Sequence, residues 1–204
     1  MQYEKNVKKL YKELKKKHGK PKGQWKLWCK RPKTEKEREE VIIGAILTQR
    51  TNWKNVELAI NNLKGAKINS LKDISQLRLK KLAFLIKPSG FYKTKAQYLQ
   101  NLTKFIMQNG GLERIKKAEP KELREKLLKL KGIGPETADS ILLYALDKPI
   151  FVIDEYTRRL VKDYKLTDKT DYYFLQKLFE ENLRRDYRLY QNFHALIVIN
   201  AKTK

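Results

Sequence analysis

Apolar positions recur at helical spacing along most of the chain. Val41, Ile42, Ala45 and Ile46 fall on one face, and Leu123, Leu127 and Leu130 share another. Ala138, Ile141, Leu142, Ala145 and Leu146 give a full amphipathic stripe, which Leu189, Phe193, Leu196, Ile197 and Asn200 nearly repeat. Alternation of period two is scarce. Phe151-Val152-Ile153 is a short run rich in β-branched residues that suits a connector as well as a strand. Glycine and proline divide the pattern at Gly19–Gly23, Arg31-Pro32, Gly65, Pro88-Ser89-Gly90, Gly110-Gly111, Glu119-Pro120, Gly132–Pro135 and Lys148-Pro149. The stretches between these marks have the length of ordinary globular helices. The pattern predicts an all-α protein of two helical lobes. Residues 36–150 form a central bundle, and residues 1–35 with 151–204 form a second lobe built from both termini.

Charge adds a partner to this picture. The 204 residues carry 47 Lys and Arg against 23 Asp and Glu, a net charge of +24. Such an excess opposes compaction unless a polyanion offsets it, and nucleic acid is the first candidate, ahead of an anionic membrane surface. A lysine-rich thermophilic surface is the plain alternative, but there the acidic residues would rise as well. Cys29 is the single cysteine, which excludes an internal disulfide or a cysteine-held cluster, and His18 and His194 are too few for a histidine-rich zinc site. The longest apolar runs, near 41–47 and 195–199, fall far short of the roughly 18 residues of a membrane span. A cytoplasmic monomer with no membrane contact is expected.

The most informative punctuation is Lys131-Gly132-Ile133-Gly134-Pro135. Pro135 suits the first position of a helix, where its missing N–H has no helical partner. The two glycines tolerate positive φ and close backbone approach. N–H groups of such a turn converge on a point where a phosphate oxygen could sit, with Lys131 beside it and Ile133 free to plug the space between the helices. A helix-hairpin-helix over about 121–146 follows, although an ordinary tight connection between helices has the same composition. Such a grip reads backbone and not base sequence.

The stretch from Leu130 to Ala138, LKGIGPETA, resembles the hairpin signature of the endonuclease III superfamily of base-excision DNA glycosylases. Phe151–Arg159, FVIDEYTRR, is similar to the same superfamily's V-D-x-x-x-x-R segment, and Gly44–Gln49 to its T-Q element. Several motifs in the right order are far more specific than any one alone. The look is nearest to 3-methyladenine glycosylase-type members. The resemblance implies an active-site cleft between the two lobes and damaged duplex DNA as the partner. It makes Asp154 the catalytic carboxylate, able to stabilise the positive charge that develops on the sugar as the N-glycosidic bond breaks. An Asp just before a helix is also a common N-cap, and one residue can serve both ends.

The resemblance places Gln49 in the gap left by a flipped base, with Arg50, Lys131, Gly132, Ile133, Gly134, Thr137, Tyr156 and Arg158 on the DNA side. For Gln49 a plain polar helix end is the alternative. Glu136 stands where strand-cleaving members carry a Schiff-base lysine, and a carboxylate cannot form that imine. A monofunctional enzyme acting on an alkylated purine is therefore expected. Trp25, Trp28 and Trp53 could stack on the extruded base, and ordinary packing is the competing role for each. Glu136 and Lys202 complete the candidate pocket, although Lys202 could equally be a solvated lysine. No iron–sulfur cluster is expected and no cofactor is required. The resemblance also implies a monovalent cation on the backbone carbonyls of Leu128, Leu130 and Ile133. The rival readings are a bifunctional glycosylase/lyase acting on oxidised bases, a non-enzymatic hairpin module that only binds DNA, and a basic RNA-associated protein.

Overall fold

The computed structural model describes residues 2–203, and the described residues are helical with no strand. The all-α expectation holds. In chain order the helices are α1 (Gln2–His18), α2 (Trp25–Trp28), α3 (Glu35–Leu47), α4 (Trp53–Gly65), α5 (Leu71–Gln76), α6 (Leu79–Leu85) and α7 (Tyr92–Gln108). Then come α8 (Gly111–Lys117), α9 (Pro120–Leu128), α10 (Pro135–Ser140), α11 (Glu155–Asp163), α12 (Tyr172–Asn182) and α13 (Tyr187–Lys202). The chain divides into two compact units. One joins the N-terminal part up to Arg31 with everything from Leu142 onward, and the other is Pro32–Ile141.

In the Pro32–Ile141 unit, α7 is the central element, with α3, α5, α6 and α8 against it. Helix α3 starts at a capping box: Thr34 accepts from the Glu37 N–H while the Glu37 carboxylate accepts from the Thr34 N–H. One apolar face was expected for α3. Every residue from Val41 to Leu47 is buried, so the second half of the helix runs through the core and not along its edge. The expected helix at 123–130 begins earlier, at Pro120, and stops at Leu128. Glu119 caps it through the Lys121 and Glu122 N–H groups.

In the other unit, α1 and α11 pack on α13, and α1 also packs on α12. Val7, Leu10 and Leu14 are the buried stripe of α1. The stripe at 138–146 is helical, but Ile141–Ala145 widens into a π-helix, and these residues are wholly buried on all sides. A widened turn leaves carbonyls without their usual partners. The Gln191 side chain donates to the Leu143 carbonyl at 2.8 Å and so satisfies one of them. Phe151–Ile153 is a buried connector and not a strand. Its backbone polar groups are met by side chains: Phe151 N–H donates to Glu180 at 2.7 Å, and Gln176 donates to the Phe151 carbonyl at 2.7 Å. The Phe151 ring stacks on Phe179, with centroids 4.4 Å apart, which anchors the residue three positions before Asp154.

Candidate active site and hairpin

The hairpin lies wholly within the Pro32–Ile141 unit. Gly132 has φ +91, a value that favours glycine, and Pro135 opens α10 as the sequence predicts. Ile133 is buried. Gly134 precedes α10 without a side-chain cap, so the first N–H groups of that helix are not capped by its side chain. Lys131, Gly134 and Glu136 are exposed, and Thr137 is buried. Behind the hairpin, Arg124 on α9 makes a bidentate pair with Asp139 on α10, at 2.6 and 2.9 Å. Asp139 is fully buried, so this pair ties the two hairpin helices together from the core side.

Gln49 belongs to the same site. Its Nε2 donates to the Gly132 carbonyl at 3.0 Å and to Thr137 Oγ1 at 3.1 Å, across more than eighty positions of sequence. The turn after α3 is therefore fixed to the hairpin. A groove of about 760 Å³ is lined by Gln49, Arg50, Phe91, Tyr98, Glu136 and the glycine turn. Phe91 and Tyr98 were not read from the sequence. Phe91 is 66% exposed and has φ +45, a left-handed backbone that a bulky residue rarely adopts. The only sequence signal for it was a large apolar residue directly after Pro88-Ser89-Gly90. Lys95, also unread, is 2% exposed and donates to the carbonyls of Leu47 at 2.8 Å and Ser89 at 2.6 Å. Burial pulls its amine down to about 8. Trp53 is in this unit, as the first residue of α4.

Asp154 lies in the other unit and is 8% exposed. It caps α11: Oδ1 accepts from the Thr157 N–H at 2.7 Å and from the Thr157 hydroxyl at 2.8 Å. Its Oδ2 is 3.3 Å from His194 Nε2 on α13. Burial opposes the charge. The charge and hydrogen bond of His194 and the two Thr157 donors outweigh it, leaving the carboxyl below its ordinary range. The other ring nitrogen of His194, Nδ1, is 2.8 Å from the Tyr144 hydroxyl. Trp25, Trp28, Tyr144 and His194 form one aromatic cluster. Trp25 lies 5.5 Å from Tyr144 and 5.8 Å from His194, and Trp28 lies 5.2 Å from Tyr144, centroid to centroid. Trp25 and Trp28 are buried, so both are packed members of this cluster.

Tyr156 is half-buried, and Lys202, exposed, holds its ammonium 5.7 Å from the Tyr156 ring centroid. Arg158 is engaged within its own unit, donating to the Thr170 carbonyl at 3.1 Å with its guanidinium 5.8 Å from the Tyr172 ring. His194 and Thr157 were not read as site residues. His194 sits inside an apolar stripe, where a core histidine looks the same.

Comparison with known proteins gives the class. Residues 43–185 match the HhH-GPD superfamily of base excision DNA repair proteins. A protein of Methanocaldococcus jannaschii, named provisionally as a DNA repair glycosylase, is 47% identical over 169 residues, covering 81% of this chain and 77% of that protein. Endonuclease III of Thermotoga maritima is 28% identical over 63% of this chain and 58% of its own length. Among solved structures, the 3-methyladenine DNA glycosylase MagIII of H. pylori, bound to 1,N6-ethenoadenine, superposes with a TM-score of 0.80. It is 32% identical, with 98% of this chain and 97% of that one covered. An endonuclease III–DNA complex shares the fold at a TM-score of 0.71 and 18% identity, covering 95% of this chain and 84% of that one. The chain belongs to the HhH-GPD superfamily of base-excision DNA repair glycosylases. Among the described residues, no helix is long and apolar enough to cross a membrane.

Proposed function

We propose that this protein is a monofunctional DNA glycosylase that hydrolyses the N-glycosidic bond of an alkylated purine. The observation that carries the reading is Asp154: a buried carboxylate, pinned through one oxygen by Thr157 and kept ionised, at the family's motif position. In the reaction, the C1′–N bond breaks and its electron pair leaves with the base, neutralising a cationic N-alkylpurine. Water adds its oxygen to C1′, and its proton passes to Asp154 and on to solvent. Asp154 stabilises the cationic sugar between these events, and low exposure strengthens its field.

Glu136 supports the monofunctional reading, because it offers no amine for an imine with the opened sugar. The alkylated-purine reading rests on the likeness to MagIII, with Trp25 and Trp28 as candidate pocket residues. Contact with the duplex falls to the hairpin residues Lys131–Gly134 and Thr137, with Gln49, Arg50 and Phe91 probing the helix interior. Tyr156 and Arg158 contact the strand, Trp53 and Lys202 remain candidate pocket residues, and the protein acts as a monomer. A monovalent cation fits the hairpin. Leu128 ends α9, so its carbonyl lacks a helical N–H partner, and with the Leu130 and Ile133 carbonyls it would supply hard oxygen ligands.

The test is an excision panel of alkylated, oxidised and deaminated duplexes, read with and without alkali and with borohydride trapping. The expected result is release of alkylated purine, loss of release with retained binding in Asp154→Asn, and no covalent capture. Efficient capture would make the enzyme bifunctional. No release from any duplex would leave a DNA-binding module.

A further inference from the structure

Asp154 needs more than a cap to act as a catalytic carboxylate: it must stay ionised while buried, with one oxygen held and the other usable. Thr157 holds Oδ1. Oδ2 lies 3.3 Å from His194 Nε2, a long and poorly aligned contact, and that nitrogen is buried with no hydrogen-bond partner elsewhere among the described residues. An ionised carboxylate only accepts, so the nitrogen facing it carries the proton. Nδ1 on the far side of the ring meets a group that can both donate and accept, the Tyr144 hydroxyl. That hydroxyl has a second neighbour, the Gln191 carbonyl, at 3.2 Å.

We propose, resting on the assignment of Asp154 as the catalytic group, that His194 is its positioning residue. The imidazole presents Nε2–H to Oδ2 in both of its charge states, and Tyr144 makes this possible by turning its hydroxyl. When the ring is neutral, Tyr144 donates to Nδ1. When the ring is protonated, Nδ1–H donates to the Tyr144 oxygen, whose proton swings to the Gln191 carbonyl. Either way the proton on Nε2 stays on the Asp154 side. Burial raises the Tyr144 hydroxyl well above its ordinary value, so it remains a phenol and serves as the rotor. Asp154 and Cys29 are the charged or titratable groups that bear on Tyr144, and Asp147 accepts from the Gln191 side chain at 3.1 Å. The remaining walls are the Trp25 and Phe151 rings, which meet His194 edge-on, with centroids 5.8 and 6.4 Å away. An apolar frame of this kind keeps water off the pair and makes the histidine matter.

Two amide substitutions separate the nitrogens. Gln reaches the place of Nε2 and can donate to Oδ2, whereas Asn reaches only that of Nδ1. In His194→Asn the Asp154 carboxyl midpoint, read by carbon NMR, rises by about one pH unit or more. Single-turnover excision falls by about 10- to 100-fold while DNA affinity holds, and the acid limb of the rate profile moves to higher pH. His194→Gln recovers most of the loss. In Tyr144→Phe the ring loses its partner at Nδ1, while nitrogen NMR still finds Nε2–H. The proposal is overturned if the wild-type ring carries its neutral proton on Nδ1, or if the Asp154 midpoint is the same in wild type and both His194 variants. These NMR readings need no substrate. A wild type that releases no base would refute the catalytic assignment alone, with the carboxyl titration still deciding whether His194 holds Asp154.

Discussion

The Tyr98 ring lies directly against Gly132, so that a methyl group at Gly132 would overlap it. Gly132 is also at φ +91. Two separate demands thus converge on one residue of the hairpin, one steric and one conformational. Gly132→Ala should lower stability by about 2–4 kcal/mol in urea unfolding, from overpacking and a left-handed backbone together. Gly134 makes the control. Its φ is −87, and a Cβ there meets nothing within 4 Å. Gly134→Ala should change stability by less than about 1 kcal/mol, because alanine's weakness at the N-cap of α10 opposes the entropy it removes from the unfolded chain. Its cost should appear only in DNA affinity, where the added methyl stands between backbone and phosphate. Unaltered affinity would count against the hairpin grip.

Phe91 exposes its ring on the groove that Gln49 lines, on a backbone that disfavours it. Nothing in folding explains a large apolar side chain held out this way, whereas insertion between bases would. Phe91→Ala should change stability by less than about 0.5 kcal/mol. Excision from duplex DNA should fall while excision of the same base from a single strand, already unstacked, is spared. An equal loss on both substrates would show that Phe91 does not open the duplex.

The helices and the hairpin were legible because their signals are local. Spacing of apolar residues, a proline after two glycines and a capping Asp all act within a turn or two of chain. The partners of those residues were not legible. Gln49 finds Gly132, and Asp154 finds His194 and Tyr144, only through tertiary packing. His194 sits in an apolar stripe and Lys95 among ordinary surface-like lysines, so neither differs in sequence from its bland neighbours. The π-helical widening at Ile141–Ala145 was also hidden, because an amphipathic stripe reads the same for either turn.

Arg124 and Asp139 brace the hairpin helices from behind, with the carboxylate fully buried. Removing one member of such a pair leaves the other charge uncompensated. Asp139→Asn should therefore cost about 3–5 kcal/mol in thermal or urea unfolding. The defect should reach DNA binding only as far as the fold is lost. Binding measured well below the variant's unfolding temperature should approach that of wild type. A persistent binding defect there would mean that the pair also sets the aim of the hairpin.

Lys95 joins the end of α3, at the Leu47 carbonyl, to the Ser89 carbonyl beside Phe91. Both turns that line the groove thus hang on one amine. Lys95→Met should orphan two carbonyls and cost about 2–4 kcal/mol. The pH dependence is distinctive. Burial lowers the folded-state amine from 10.5 to about 8, so between these values the unfolded chain holds a proton that the folded chain has released. Stability contributed by this group therefore rises with pH across that window and is flat below it. The neutral amine still has two N–H groups for the two carbonyls, so the clamp survives deprotonation. Urea midpoints of wild type and Lys95→Met, compared from pH 7 to pH 10, should diverge as pH rises. Parallel curves would show that the amine titrates at its ordinary value and that its burial is relieved in solution.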